Sequence, residues 1–195
     1  MQPLGRGPVL ATMSGQATLE RYHLNRRARL RDGTPILVRT LQPEDREELA
    51  RGFARLSPGS RRFRFLAPLH KLSPEQLRVL TEVDQHDHVA IAARDESRPD
   101  HPGIGVARFV RLEQDPGVAE FAITVIDEYQ NRGLGTLLLK LLLKAAQAVQ
   151  VRTLRGFMLA DNLAMLHLLR KFETTWRRAW DNTLGVDLTV PLPAS

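Results

Sequence analysis

The chain has no cysteine among its 195 residues. Disulfides, a thiolate metal site and a cysteine nucleophile are excluded. Lysine is scarce: of 28 basic residues, only Lys71, Lys140, Lys144 and Lys171 are lysine. Arginine therefore carries the net charge of +6. Heavy arginine use is not in itself a nucleic-acid signal, and no nucleic-acid-binding motif accompanies it. It suits polyanionic ligands and acidic surfaces. Long apolar runs are also missing. The most apolar stretch, Leu134 to Val149, is interrupted by Lys140, Lys144 and Gln147, so it does not read as a membrane span. The N-terminus lacks the apolar core of a signal peptide. A soluble, cytoplasmic protein is expected. At 43% hydrophobic residues, the length suits one globular domain with a full core.

Residues 1–25 are rich in Gly, Pro, Ser, Thr and Gln without a sustained period. They read as a flexible extension with a short helix near Ala17 to Tyr22, ahead of a single domain over 26–195. Arg26, Arg27, Arg29 and Arg31 read as a solvated basic face. Asp32-Gly33 is a turn signal before a strand at Ile36 to Val38. Pro43-Glu44-Asp45, Ser57-Pro58 and Ser73-Pro74-Glu75-Gln76 are three helix starts, the last with a capping-box glutamine. Val89–Ala93, Ile104–Val110 and Val118–Val125 read as strands. Leucines at 134, 137, 138, 141 and 142 follow the i, i+3, i+4, i+7 stripe of a helix. Leu139 and Leu143 widen that stripe, as burial against a sheet requires. Leu154–Leu159 is a strand, Asp161-Asn162 opens a helix, and Trp176–Trp180 with Val186–Val190 form a closing hairpin. The expectation is a mixed α/β fold with about seven strands flanked by helices.

One segment carries most of the functional information. An apolar strand ending at Val125 runs into Ile126-Asp127-Glu128-Tyr129-Gln130-Asn131-Arg132-Gly133-Leu134-Gly135-Thr136, where the leucine helix begins. Glycine lets a ligand approach the backbone. The first helical turn leaves N–H groups without intrahelical partners, under the positive end of the dipole. A strand, a glycine turn and a helix N-terminus make a phosphate cradle. The Walker pattern is absent, since no Lys-Ser/Thr follows the second glycine. The Rossmann pattern is absent, since its third glycine is missing.

Val125, Gln130, Gly133 and Gly135 instead stand at the offsets V-x-x-x-x-Q/R-x-x-G-x-G/A. This resembles the acetyl-coenzyme A signature of the GNAT acetyltransferases, and the order of elements matches that family over residues 33–192. The segments Leu56 to Phe65, Leu80 to Asp84 with Asp87-His88, and Ala119 to Ala122 resemble those of bacterial protein lysine acetyltransferases. The resemblance implies an N-acetyltransferase of the GNAT acyl-CoA N-acyltransferase fold, with acetyl-CoA as cosubstrate and no metal. The acceptor is a protein lysine or a small amine. Backbone edges of Ile123, Thr124 and Val125 would bind the pantetheine arm. Amides of Asn131, Arg132, Gly133, Leu134, Gly135 and Thr136 would hold the pyrophosphate, with side-chain help from Gln130 and Arg132. An amide near Val125 would polarise the thioester carbonyl.

Transfer of an acetyl group to an amine needs a base and no covalent intermediate. Glu120 is the candidate base: it precedes the turn among the apolar residues Ala119, Phe121 and Ala122, surroundings that raise a carboxyl pKa. The alternative is an exposed residue on the polar face of a strand. Asp127 and Glu128 read as solvated or helix-flanking. Asn162 either meets the pantetheine or merely caps its helix. His88 falls near the acceptor pocket of the related lysine enzymes. Asp84, His86 and His88 would share a strand face, but acetyl transfer needs no metal. Leu169 stands where many GNAT enzymes have a tyrosine that protonates the leaving thiolate, and His167 is expected on a different helix face. Water then becomes the proton source. The missing tyrosine also leaves open a non-catalytic acyl-coenzyme A sensor.

Overall fold

The computed structural model describes residues 21–191. Eight strands form one sheet in the order β1-β2-β3-β4-β5-β6-β8-β7. The strands are β1 (Asn25–Arg29), β2 (Pro35–Thr40), β3 (His88–Asp95), β4 (Gly103–Leu112), β5 (Asp115–Val125), β6 (Thr153–Leu159), β7 (Thr174–Arg178) and β8 (Thr183–Thr189). Every neighbouring pair is antiparallel except β5 and β6, which run parallel. A parallel pair needs a long crossover, and α4 (Leu134–Ala148) supplies it. The helices α1 (Arg46–Arg55), α2 (Pro58–Phe65) and α3 (Pro74–Thr81) come between β2 and β3, and α5 (Leu163–Leu169) between β6 and β7.

The mixed α/β expectation holds, with one strand more. β1 is the arginine-rich run Asn25–Arg29, exposed at every position but Ala28. It joins the sheet as an edge strand through backbone pairing with β2, so no apolar alternation announces it. Its arginines do face solvent, as the sequence suggests. The domain boundary placed after residue 25 falls inside this strand. Of the helix expected at Ala17 to Tyr22, residues 17–20 lie outside the described residues. Tyr22 is not helical; its N–H donates to the Gln85 carbonyl.

Local chemistry explains the helix starts. The Ser57 hydroxyl accepts from the Ser60 N–H at 3.1 Å, and proline occupies the first position of α2. In α3, Ser73 and Gln76 complete the reciprocal capping box, at 3.1 and 2.8 Å. Pro43–Asp45 forms a 3-10 turn ahead of α1 rather than its first turn.

The leucine stripe of α4 is buried, with Leu134, Leu138, Leu139 and Leu142 at most 1% exposed. It packs on β3, β4 and β5. Full burial of a leucine contributes about 1.5–3 kcal/mol, so this helix anchors the sheet. Gly105 of β4 permits the contact: a Cβ there would meet Leu134 and Leu138 methyls at 3.2 Å. Glycine 105 faces α4, so by alternation Val106, Arg108 and Val110 face the other side. Their register partners Thr124, Ala122 and Glu120 share that second face, over which α1 and α2 pack.

Candidate active site

The β5–β6 ladder holds three register pairs, Val118–Thr153, Ala119–Leu154 and Glu120–Arg155. Beyond Glu120 the two strands part. Phe121 to Val125 keep their pairing with β4 alone. Gly156, the next residue of β6, lets the Phe121 ring press against its backbone; a Cβ there would lie 2.5 Å from the ring.

A cleft of about 390 Å³ opens where the strands part. Ile123, Thr124 and Val125 line it from β5; Gln130, Asn131, Gly133, Gly135 and Thr136 from the turn and α4; Asn162 from the start of α5. Nine of the residues expected to bind the cosubstrate thus meet in one place. The turn is built to present its amides. Asn131 and Gly133 both adopt left-handed φ, 60° and 90°, a geometry that gathers successive N–H groups into an anion-binding concavity. Leu134, Gly135 and Thr136 occupy the first turn of α4, whose first backbone bond runs from the Leu137 N–H to the Gly133 carbonyl. Their own N–H groups are left over. A Cβ on Gly135 would sit 3.4 Å from a Leu168 methyl, in ordinary contact, and would project where a ligand approaches the turn.

Three side chains hold this turn in position. Tyr129, 4% exposed, donates its hydroxyl to Asp95 at 2.7 Å and so ties the turn to the end of β3. Gln130 donates to the Val125 carbonyl at 3.2 Å and to Ser60 at 3.4 Å. Asp127 accepts from the Ser57 N–H at 3.0 Å and from the Ser57 and Ser60 hydroxyls at 2.8 Å each. Asp127 thus clamps α2 to the turn rather than being merely solvated.

Two expected contributors point elsewhere. Arg132 pairs with Asp32 at 3.1 Å and stacks over Tyr129 at 5.0 Å, outside the cleft. Leu134 buries its side chain in the core, which leaves its amide as its only possible contribution. Asn162 accepts from the Met165 N–H at 3.1 Å, so it is a helix cap as well as a wall of the cleft. His167, expected on another face, lines the cleft. Leu169 is fully buried and offers no proton.

Sequence reasoning missed several lining residues. Arg31 reaches over the glycine turn; its side chain would stand 3.2 Å from a Cβ on Gly133. The Arg31 N–H donates to the Arg132 carbonyl at 3.0 Å. Nothing local separates Arg31 from its arginine neighbours; only the β1–β2 turn carries it there. Ser57, Ser60 and Arg64 arrive from α2, and Lys171 follows α5.

Glu120 is exposed, contrary to the expected apolar setting. Alternation is the reason: Ala119 and Phe121 face the other side of the sheet. In register, His88 pairs with Val110 and Val110 with Glu120, so the three form one cross-strand row. The His88 imidazole is pushed down to about 4 by burial and by the Arg108 guanidinium, against a smaller opposing pull from Asp84. Arg108 Nη1 lies 3.3 Å from His88 Nε2. A guanidinium only donates, so Nε2 accepts and the imidazole is neutral. Asp84 is occupied otherwise: one of its oxygens accepts the N–H groups of His86, Asp87 and His88 at 2.8–2.9 Å.

The family model for an acetyltransferase (GNAT) domain matches residues 36–175. An acetyltransferase of Pseudomonas aeruginosa, PA5475, is 33% identical over 139 residues, covering 71% of this chain and 74% of that protein. Acetyltransferase Pat of Mycolicibacterium smegmatis is 32% identical over 160 residues, covering 82% of this chain and 46% of that protein. The chain therefore spans less than half of that second relative. The crystal structure of the GNAT domain of S. lividans PAT superposes with a TM-score of 0.78 at 25% identity, covering 85% of this chain and 96% of the other. With the parted strands and the glycine cradle already in place, these matches establish that the chain belongs to the GNAT family of acetyl-CoA-dependent N-acetyltransferases.

Proposed function

We propose that the chain transfers an acetyl group directly to a primary amine, with Glu120 taking the amine proton. The observation that supports this is the parting of β5 and β6 at Glu120, one strand-length from the glycine cradle. The residues present fit acetyl-CoA. The cradle has spare amides for a pyrophosphate, Arg31 above it supplies positive charge, and the β5 edge offers unpaired backbone groups for an amide-bearing arm. When bound, acetyl-CoA supplies an activated acyl carbon. Glu120, exposed at the apex of the wedge, accepts a proton from the incoming ammonium. The β5 amides stabilise charge on the acyl oxygen. A carbon–nitrogen bond forms, the carbon–sulfur bond breaks, the nitrogen gives its second proton to water, and the thiolate takes a proton from water, since Leu169 has none to give.

A protein lysine is the acceptor that the resemblance in α2, α3 and β5 supports. A small amine is the second reading, and one observation favours it. The space between α1, α2 and the sheet is a cavity of about 80 Å³ with mostly apolar walls. Its acids are already engaged: Asp45 by Arg39 and Arg94, and Glu48 by Arg51 and the Gly103 N–H. It is not the acidic groove that would draw a basic peptide.

Glu120→Gln tests the reading. It keeps size and polarity but takes no proton. Turnover should fall by about 100- to 10,000-fold, while calorimetric affinity for acetyl-CoA stays near normal. Near-normal turnover at pH 7 would remove Glu120 from the role. Unaltered thiol release with every amine tested, in a protein that binds acetyl-CoA, would favour the sensor reading instead.

A further inference from the structure

The small cavity and the cleft share two lining residues, Arg64 and Thr124. Arg108 lines the cavity beside them. Arg108 is 6% exposed. Its Nη1 donates to the Leu80 carbonyl at 3.0 Å and to His88. Among the described residues it has no carboxylate partner. Arg64 is half-buried, stacks on Phe65 at 4.8 Å, and makes no hydrogen bond or ion pair with a described residue. Its neighbours on α2 differ: Arg61 donates to two carbonyls, at 2.8 and 3.1 Å, and Arg62 pairs with Asp161 at 3.0 Å.

Burial lowers the pKa of both guanidiniums, Arg64's despite the pull of Glu120, and each group's charge is felt by the next along the line Glu120, Arg64, Arg108. At neutral pH both remain cationic. Buried charges are ordinarily paired, because isolation in an apolar setting is costly. Asp45, Glu48 and Arg94 on the same wall are engaged in ion pairs, which leaves Arg64 and Arg108 as two cations on the cavity without a carboxylate partner, beside a neutral histidine and with Glu120 the nearest free carboxylate along the row. That arrangement lacks one anion.

The register locates where the anion would sit. Arg108 pairs with Ala122, two residues along β5 from Glu120. At a strand rise of about 3.3 Å per residue that is roughly 7 Å. An amine delivered to Glu120 therefore has positive charge within the span of one small molecule. The pyrophosphate cradle lies farther along, beyond Val125, and has its own amides.

We propose that the acceptor is an amino-acid-like zwitterion, with its amine at Glu120 and its carboxylate on Arg64 and Arg108. This rests on the acetyl-transfer reading above and on its small-acceptor branch. The ammonium loses one proton to Glu120; as the amide bond forms and the carbon–sulfur bond breaks, its second proton passes by way of water to the departing thiolate. The carboxylate is unchanged and serves for recognition.

Matched acceptors test it: phenylalanine against phenethylamine, lysine against cadaverine, and a lysine-containing peptide with blocked termini. Thiol release is read for the intact chain, for Arg108→Met and for Arg64→Met. The acid of each pair should be preferred by about 100-fold or more in kcat/KM, because a site built for a carboxylate leaves its donors unpaired with the analogue lacking it. Both substitutions should collapse that preference, by loss of the acid rather than of the amine. Melting curves and acetyl-CoA titration accompany each variant. If Arg108→Met does not fold, the half-exposed Arg64→Met carries the comparison. Equal or faster acetylation of the decarboxylated amine or the peptide overturns the inference and leaves acetyl transfer standing. No turnover of any acceptor overturns both.

Discussion

Ser60 and Asp127 are 67 residues apart in sequence, and their side chains meet at 2.8 Å. The same carboxylate holds Ser57, so the first turn of α2 and the approach to the glycine turn form one unit. Asp127→Ala should lower stability by about 1–3 kcal/mol, since it removes three hydrogen bonds that Ser57 and Ser60 donate to a charged acceptor. Asp127→Asn should cost less. Burial would raise the Asp127 pKa, but the hydrogen bonds from Ser57 and Ser60 outweigh it and hold the carboxyl below its ordinary range. Stability from a depressed carboxyl is present above its unfolded pKa and lost as pH falls through the folded one. The difference between the native chain and Asp127→Ala in thermal melts should therefore persist at neutral pH and shrink only in strong acid.

Gly133→Ala and Gly135→Val should separate two roles in the cradle. Gly133 has φ 90°, and a left-handed alanine costs about 1–2 kcal/mol. That variant should melt lower and must also displace Arg31. Gly135 needs no special φ but faces the cleft under Leu168. Gly135→Val should fold with near-native stability and weaken acetyl-CoA by at least about tenfold, or about 1.4 kcal/mol. Calorimetry showing native affinity for Gly135→Val would mean that the cradle is not the binding site.

His88 predicts a pH signature in stability. Its folded pKa is about 4, below the ordinary 6.5. The unfolded chain therefore takes up a proton that the folded chain refuses between those values. Stability should fall as pH drops from 6.5 towards 4, then level off for this residue. His88→Gln should flatten that segment of the curve. A melting temperature with the same slope in both proteins over this window would remove His88 as its source.

Phe121 and Gly156 give a packing prediction. A Cβ on Gly156 would overlap the Phe121 ring at 2.5 Å. Gly156→Ala should cost about 1–3 kcal/mol through overpacking. Phe121→Leu in the same chain should recover part of it, so a double-mutant cycle should show coupling. Additive losses would mean that the ring moves freely.

The site was legible wherever chemistry and chain order coincide. Val125 to Thr136 is one local segment: its spacing specified strand, turn, helix and a phosphate cradle, and its resemblance to the GNAT signature implied the coenzyme. The caps at Ser57 and Ser73 were legible for the same reason. What could not be read arrives from far away in sequence. Arg31 reaches the cradle from the β1–β2 turn, and Asp127 finds its partners across the start of α2. Arg64 and Arg108 look like ordinary arginines until helix and strand are stacked. The setting of Glu120 was misread in a different way. Its neighbours in sequence are apolar, but period-two alternation sends Ala119 and Phe121 to the opposite face, so sequence adjacency misjudged its surroundings. β1 was hidden because an edge strand held by backbone pairing needs no hydrophobic code.

The parted strands put an unusual object inside this sheet. From Phe121 to Val125, β5 has a partner on one side only. It is an open edge in the middle of eight strands. Unpaired edges invite other chains, and proteins ordinarily blunt them with charge, proline or a covering element. On the proposed reading the covering element would be the ligand: an arm with amide groups could complete the strand as a peptide does when it adds to a sheet. The coenzyme would then be a structural plug as well as a donor. Without a covering group, this stretch of β5 would be an adhesive strip recessed by the walls of the cleft. Self-association in concentrated solution should consequently depend on coenzyme supply.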